Sequence, residues 1–184
     1  MNPILLKNLV PVELLSLMNK RAELIKASGH TDTDNELFKR QGFHNDPFFA
    51  KIHHDIFSPL VQKKVGEILK PSYNFLAFYH MNEGICPVHL DRPQCYITLD
   101  ICLDQKKVWP LYVNADRHEF IDPEDSVLIE KIKKESQQFD LNPGDGLIYS
   151  GTEQPHWRSK IDPDNFCHLV FFHFVPEAFA GELN

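Results

Sequence analysis

From Tyr73 onward the sequence breaks into short runs rich in aromatic and β-branched residues, with turn residues between them. The runs cover 73–80, 95–103, 108–113, 138–141, 146–149, 156–161 and 167–175. Each has the length of a strand and is too short to make a stable amphipathic helix. Asn142-Pro143-Gly144-Asp145 supplies turn chemistry between two of them. Many short strands joined by turns must bury their apolar faces against each other, which makes a sandwich or a barrel. The expected fold is therefore mostly β with flanking helices: a double-stranded β-helix, the cupin-like jelly roll.

The segment before Tyr73 reads differently. Val12, Leu14, Leu15, Leu17, Met18, Ala22 and Ile25 recur at helical spacing between Pro11 and Gly29. A polar loop follows over 30–35. A second helix is expected over 56–69, with Lys63 and Lys64 on its wet face and Pro71 just past its end. The stretch 116–134 reads as an insertion, helical from about Pro123, and its mixed-sign run 130–135 as a solvated helix face. The whole chain of 184 residues suits one domain. Helices over 1–72 would pack on a barrel over 73–175.

Charge and cysteine usage narrow the partners. A formal net charge of −7 argues against a general grip on nucleic acid, which needs a basic surface. No apolar run approaches the ~20 residues that span a bilayer, and the first residues lack a basic segment followed by a long apolar one. Cys86, Cys95, Cys102 and Cys167 form no CxxC pair and read as buried, reduced thiols. A cytoplasmic location without membrane attachment is the expectation.

The sharpest local feature is His89-Leu90-Asp91. In an extended segment, positions two apart project to one face, so one imidazole and one carboxylate meet a single point. A further histidine would complete the two-histidine, one-carboxylate set of non-haem iron(II) sites, which leaves positions open for co-substrate and oxygen. His156, in Gln154-Pro155-His156-Trp157-Arg158, follows the turn and the 146–149 strand, and one more strand comes after it. In a jelly roll that order returns it beside the first ligand pair. His30, His44, His53, His54 and His118 read as surface or capping residues. His80 should face away from Tyr79, and His173 reads as a core histidine with a hydrogen-bond partner. His168 is left as a residue that could line the pocket.

In their order, these elements resemble the iron(II)- and 2-oxoglutarate-dependent oxygenases, particularly small bacterial prolyl-hydroxylase-like members. The resemblance covers about 73–175. It rests on the strand ending at Phe78-Tyr79, the His89-Leu90-Asp91 triplet, Trp109-Pro110-Leu111-Tyr112-Val113, the 143–149 segment, Pro155-His156-Trp157-Arg158 and Val170-Phe171-Phe172-His173-Phe174. It implies iron(II) held by His89, Asp91 and His156, with 2-oxoglutarate and molecular oxygen as co-substrates. It also implies oxidation of a small-molecule or amino-acid-like substrate, or of a protein side chain. With Asp91 present the implied outcome is hydroxylation, because related halogenases have a glycine or alanine there.

One departure matters. Such proteins commonly carry an arginine or lysine on the last strand for the far carboxylate of 2-oxoglutarate, and here 166–175 has neither. His168 stands at about that place. Arg158 and Lys160 share the strand face of His156, and the planar fork of Arg158 suits a carboxylate best. Tyr79 corresponds to a tyrosine that helps bind 2-oxoglutarate in prolyl hydroxylases. Arg92 should reach substrate or the surroundings of Asp91. Two other functions stay open: a cupin-type metal enzyme that needs no keto acid, and a non-catalytic sensor.

Overall fold

The computed structural model describes residues 1–34, 36–80 and 84–183. In chain order its strands are β1 (Ile4–Leu6), β2 (Asp32–Asp34), β3 (Arg40–His44), β4 (Leu69–His80), β5 (Cys86–His89), β6 (Ile97–Gln105), β7 (Leu111–Val113), β8 (Gln137–Phe139), β9 (Gly146–Tyr149), β10 (His156–Arg158) and β11 (Phe166–Pro176). The α-helices are α1 (Val12–Ala27), α2 (Pro47–Ile52), α3 (Ser58–Val65) and α4 (Ser126–Glu135), with a π-helical turn at His53–Phe57 between α2 and α3.

The strands form two antiparallel sheets. The larger has the order β1-β9-β6-β11-β4-β3-β2 and the smaller β5-β10-β7-β8. They face each other as a jelly roll, with α1, α2 and α3 on the outer face of the larger sheet. Two cores result, and period-two alternation sorts residues between them. Leu76 and Phe78 of β4 pack toward the helices with Met18, Ile25, Phe49 and Phe57. Phe75, Ala77 and Tyr79 pack inward with Leu111, Val113 and Tyr149. The nearly unbroken apolar run of β4 follows from burial on both faces. Strand β6 alternates likewise: Leu99, Ile101 and Leu103 meet the helices, and Cys102 faces inward.

Several boundaries differ from the sequence expectation. The second helix ends at Val65 because Gly66 adopts a left-handed conformation (φ 79°) and its N–H caps Gln62 O at 2.8 Å. Pro71 then lies inside β4, at a register shift in the pairing with β11. On the other side of β4, β3 reaches only to Phe75, so no strand there needs the N–H that proline lacks. Residues 1–72 also contain β1, β2 and β3. β1 extends the larger sheet through β9, while β3 and β2 extend it through β4. β2 occupies much of the expected 30–35 loop, of which Asn35 lies outside the described residues. Asp-Thr-Asp and Arg-Gln-Gly-Phe-His carry little apolar alternation, so it is pairing with a neighbour that makes them strands. Within 116–134 the helix α4 starts not at Pro123 but at Ser126, where the Asp125 side chain caps Leu128 N at 2.9 Å.

All four cysteines are buried and unbridged. No helix of the described residues is long and apolar enough to cross a membrane.

Candidate metal centre and its cavity

Register brings the two histidines together. β10 pairs antiparallel with β5, and His156 stands opposite His89. Their rings lie 4.2 Å apart between centroids. Asp91 follows just beyond the end of β5, where its N–H donates to Gly151 O at 2.8 Å. Asp91 Oδ1 lies 3.5 Å from His89 Nε2 and 3.7 Å from His156 Nε2. The backbone here has no room to drift. A Cβ on Gly151 would come within 2.5 Å of Asp91 Oδ2 and 2.9 Å of Thr98 Oγ1, and would clash with Cys95 O.

The other ring nitrogens are committed. His89 Nδ1 lies 2.8 Å from Pro87 O, and His156 Nδ1 lies 3.0 Å from Gln154 O. Each carbonyl holds a proton on Nδ1, which leaves Nε2 as the atom aimed at Asp91. Burial works to lower the pKa of His89, but Cys86 and Asp91 carry it well above the ordinary value. Burial works to raise Asp91, but His156 and His89 hold it well below the usual carboxylate range. Two imidazole nitrogens and one ionised carboxylate oxygen, all within 4.8 Å of one another, therefore form a donor set that fits a divalent transition metal.

Behind Asp91 lies a second group. Thr98 Oγ1 is 3.5 Å from Asp91 Oδ2 and 3.0 Å from His173 Nδ1. His173 is thus a buried histidine with a hydrogen-bond partner, as its place in β11 suggested. Cys95 also approaches Asp91 and His173. Burial pushes its thiol up to about 12, and Tyr73 OH contacts the sulfur at 3.0 Å. A neutral thiol is a poor ligand, so this group reads as support for Asp91.

The triad opens on a cavity of about 500 Å³, walled by aromatic residues including Tyr73, Phe75, Tyr79 and Phe171. Arg158 lines it, two residues beyond His156. Its Nη2 donates to Asp100 Oδ2 at 2.9 Å and its Nη1 to Trp109 O, so the guanidinium is fixed at the wall and already has a carboxylate partner. Burial works against its charge, while Asp100 raises its pKa. Tyr79 also lines the cavity, edge-on to Trp109, and its hydroxyl accepts from Arg40 Nη1 at 3.0 Å.

His168 does not join them. It points to the helix face of the larger sheet, 3.5 Å from Glu23 of α1 and edge-on to Phe78. The alternation of β11 sends Cys167, Leu169, Phe171 and His173 inward and His168 out. Lys160 is exposed and absent from the cavity wall. His53, expected at the surface, is buried against Phe172 and Phe174. His44 and Arg92 line the cavity, Arg92 with its guanidinium 4.4 Å above the Tyr73 ring.

Sequence reasoning missed Asp100 and Arg40. Asp100 carried a signal, since Thr98 and Asp100 put polar groups on one face of an otherwise apolar strand. Arg40 carried none, because β3 has no strand pattern of its own.

No protein-family model matches the chain, and no curated protein sequence matches it. Solved structures do. HygX from Streptomyces hygroscopicus, solved with nickel and 2-oxoglutarate, superposes with a TM-score of 0.69 at 13% identity, covering 96% of this chain and 84% of that one. A Pseudomonas putida prolyl-4-hydroxylase gives 0.68 at 13%, covering 96% and 93%. SnoN, an alpha-ketoglutarate-dependent epimerase from nogalamycin biosynthesis, gives 0.71 at 10%, covering 97% and 82%. At these identities the likeness establishes the fold.

Proposed function

We propose that this chain is an iron(II)- and 2-oxoglutarate-dependent oxygenase. On this reading it hydroxylates a small molecule, an amino acid or a protein side chain and releases succinate and carbon dioxide. The observation that carries the reading is the convergence of His89 Nε2, Asp91 Oδ1 and His156 Nε2 at the wall of an aromatic cavity. The shared fold with 2-oxoglutarate-bound HygX and with the prolyl-4-hydroxylase supports it.

Bound iron would supply the oxidising chemistry, and the chain's own residues orient what reacts. The carbonyls of Pro87 and Gln154 fix both imidazole rings, while Thr98 and the close packing of Gly151 hold Asp91. Arg158 and Tyr79 address the far carboxylate of 2-oxoglutarate, and Arg40 steadies Tyr79 through its hydroxyl. The β2–β3 hairpin, through Thr33 and Arg40, forms part of the cavity wall where substrate would enter. Asp91 fills the place that a halide would need, which favours hydroxylation over chlorination.

The test is succinate release from 2-oxoglutarate in the presence of ferrous iron and oxygen, screened against amino acids and related small molecules. Succinate that depends on iron and on Asp91 is the expected result. Turnover without 2-oxoglutarate would indicate a cupin-type enzyme of another activity. Ligand binding without any turnover would indicate a sensor.

A further inference from the structure

Asp100 sits in β6, fully buried, on the wall of the cavity beside Arg158. Its Oδ2 accepts from Arg158, but its Oδ1 has no hydrogen-bond partner among the described residues. Buried carboxylate oxygens rarely lack a donor, and such an exception calls for an explanation. Charge counting supplies one. Arg158 and Asp100 are neutral as a pair. A dicarboxylate whose far end reaches Arg158 adds a second anion to a cation that already has one, beside side chains that have almost no exposure to solvent. One shared proton removes the excess charge and gives Oδ1 a role.

We propose that Asp100 takes up one proton from solvent when the acidic co-substrate binds and donates it, as an Oδ1–H···O hydrogen bond, to the far carboxylate. Recognition then combines an acid–carboxylate pair with the Arg158 fork. The inference rests on the oxygenase reading. The surroundings of Asp100 agree with it. Burial raises its pKa first, Arg158 and His156 of β10 lower it, and Asp91 raises it. Tyr149 of β9 and Cys102 of its own strand also face it; burial keeps Tyr149 neutral, and the hydrogen bond with Cys167, aided by burial, keeps Cys102 neutral. A bound carboxylate acts in the same direction as Asp91 and favours the protonated form.

The experiment is calorimetric titration of 2-oxoglutarate into the full chain, loaded anaerobically with ferrous iron, over about pH 6 to 9 in buffers of different ionisation heat. The expected result is proton uptake that climbs toward one per ligand as pH rises, with affinity weakening about tenfold per pH unit on the alkaline side. Asp100→Asn, whose amide can still donate, should bind with no proton uptake and with a pH-independent affinity. Wild-type binding with no proton exchange at any pH overturns the assignment of Asp100 and leaves the oxygenase reading standing. Failure of iron-loaded protein to bind 2-oxoglutarate at all overturns both. If the Asn variant does not fold, the wild-type proton count alone decides.

Discussion

Arg158 and Asp100 form an ion pair with almost no access to solvent, so neither can be removed alone without stranding a charge. Arg158→Ala is expected to cost about 3–5 kcal/mol of stability, read as a lower denaturant midpoint. Replacing both by apolar side chains, as in Arg158→Met with Asp100→Leu, should recover most of that loss. Function separates the residues further. Arg158→Lys keeps the charge but loses the fork, and should raise the KM for 2-oxoglutarate several-fold. His168→Ala should leave that KM unchanged, because His168 faces Glu23 and α1. The reverse pattern would move the far carboxylate to the last strand. The role proposed for Arg158 was legible from its two-residue step beyond His156. Its commitment to Asp100 was not, since no local pattern links two strands so far apart in sequence.

At the scale of elements, the site depends on the register of β5 against β10 and on the close approach of the Gly151 segment to Asp91. Gly151→Ala forces a methyl group onto Asp91 Oδ2 and Thr98 Oγ1. We expect metal affinity to fall about 10–100-fold, the range seen when supports of metal ligands are removed. Gly66→Ala is the matched control. A side chain in the left-handed conformation at the end of α3 costs about 1–2 kcal/mol, and a methyl there meets nothing within 4 Å. Stability should drop with metal affinity unchanged, as thermal melts and metal titration would report. The strands that build this register were readable because each carries aromatic or branched residues between turn signals. β1, β2 and β3 were not, because their sequences become strands only when β9 offers an edge to β1, β4 to β3, and β3 to β2. That blindness hid Arg40 and the hairpin wall of the cavity.

For the molecule as a whole, the helix-side core imposes a pH limit. Burial lowers His53 to about 3 and His168 to about 3, so both are neutral when folded and titrate near 6.5 when unfolded. Below about pH 6.5 the unfolded chain binds more protons, and stability is lost as pH falls toward the folded values. The slope should reach up to ~1.4 kcal/mol per pH unit for each histidine, and His53→Leu should flatten part of it in acid denaturation curves. The jelly roll itself was legible from strand lengths and turns. The sorting of β4 and β6 between two cores was not, because a strand buried on both faces shows no alternation to read. On the proposed reading, His89, Asp91 and His156 together hold one ferrous ion that in turn admits 2-oxoglutarate. Anaerobic titration of iron, then of 2-oxoglutarate, into the wild-type chain and its Asp91→Ala and His156→Ala variants decides whether they do. One iron per wild-type chain, 2-oxoglutarate binding that requires that iron, and loss of both in folded variants are expected. Iron bound equally well by the variants, or 2-oxoglutarate bound equally well without metal, would overturn the assignment.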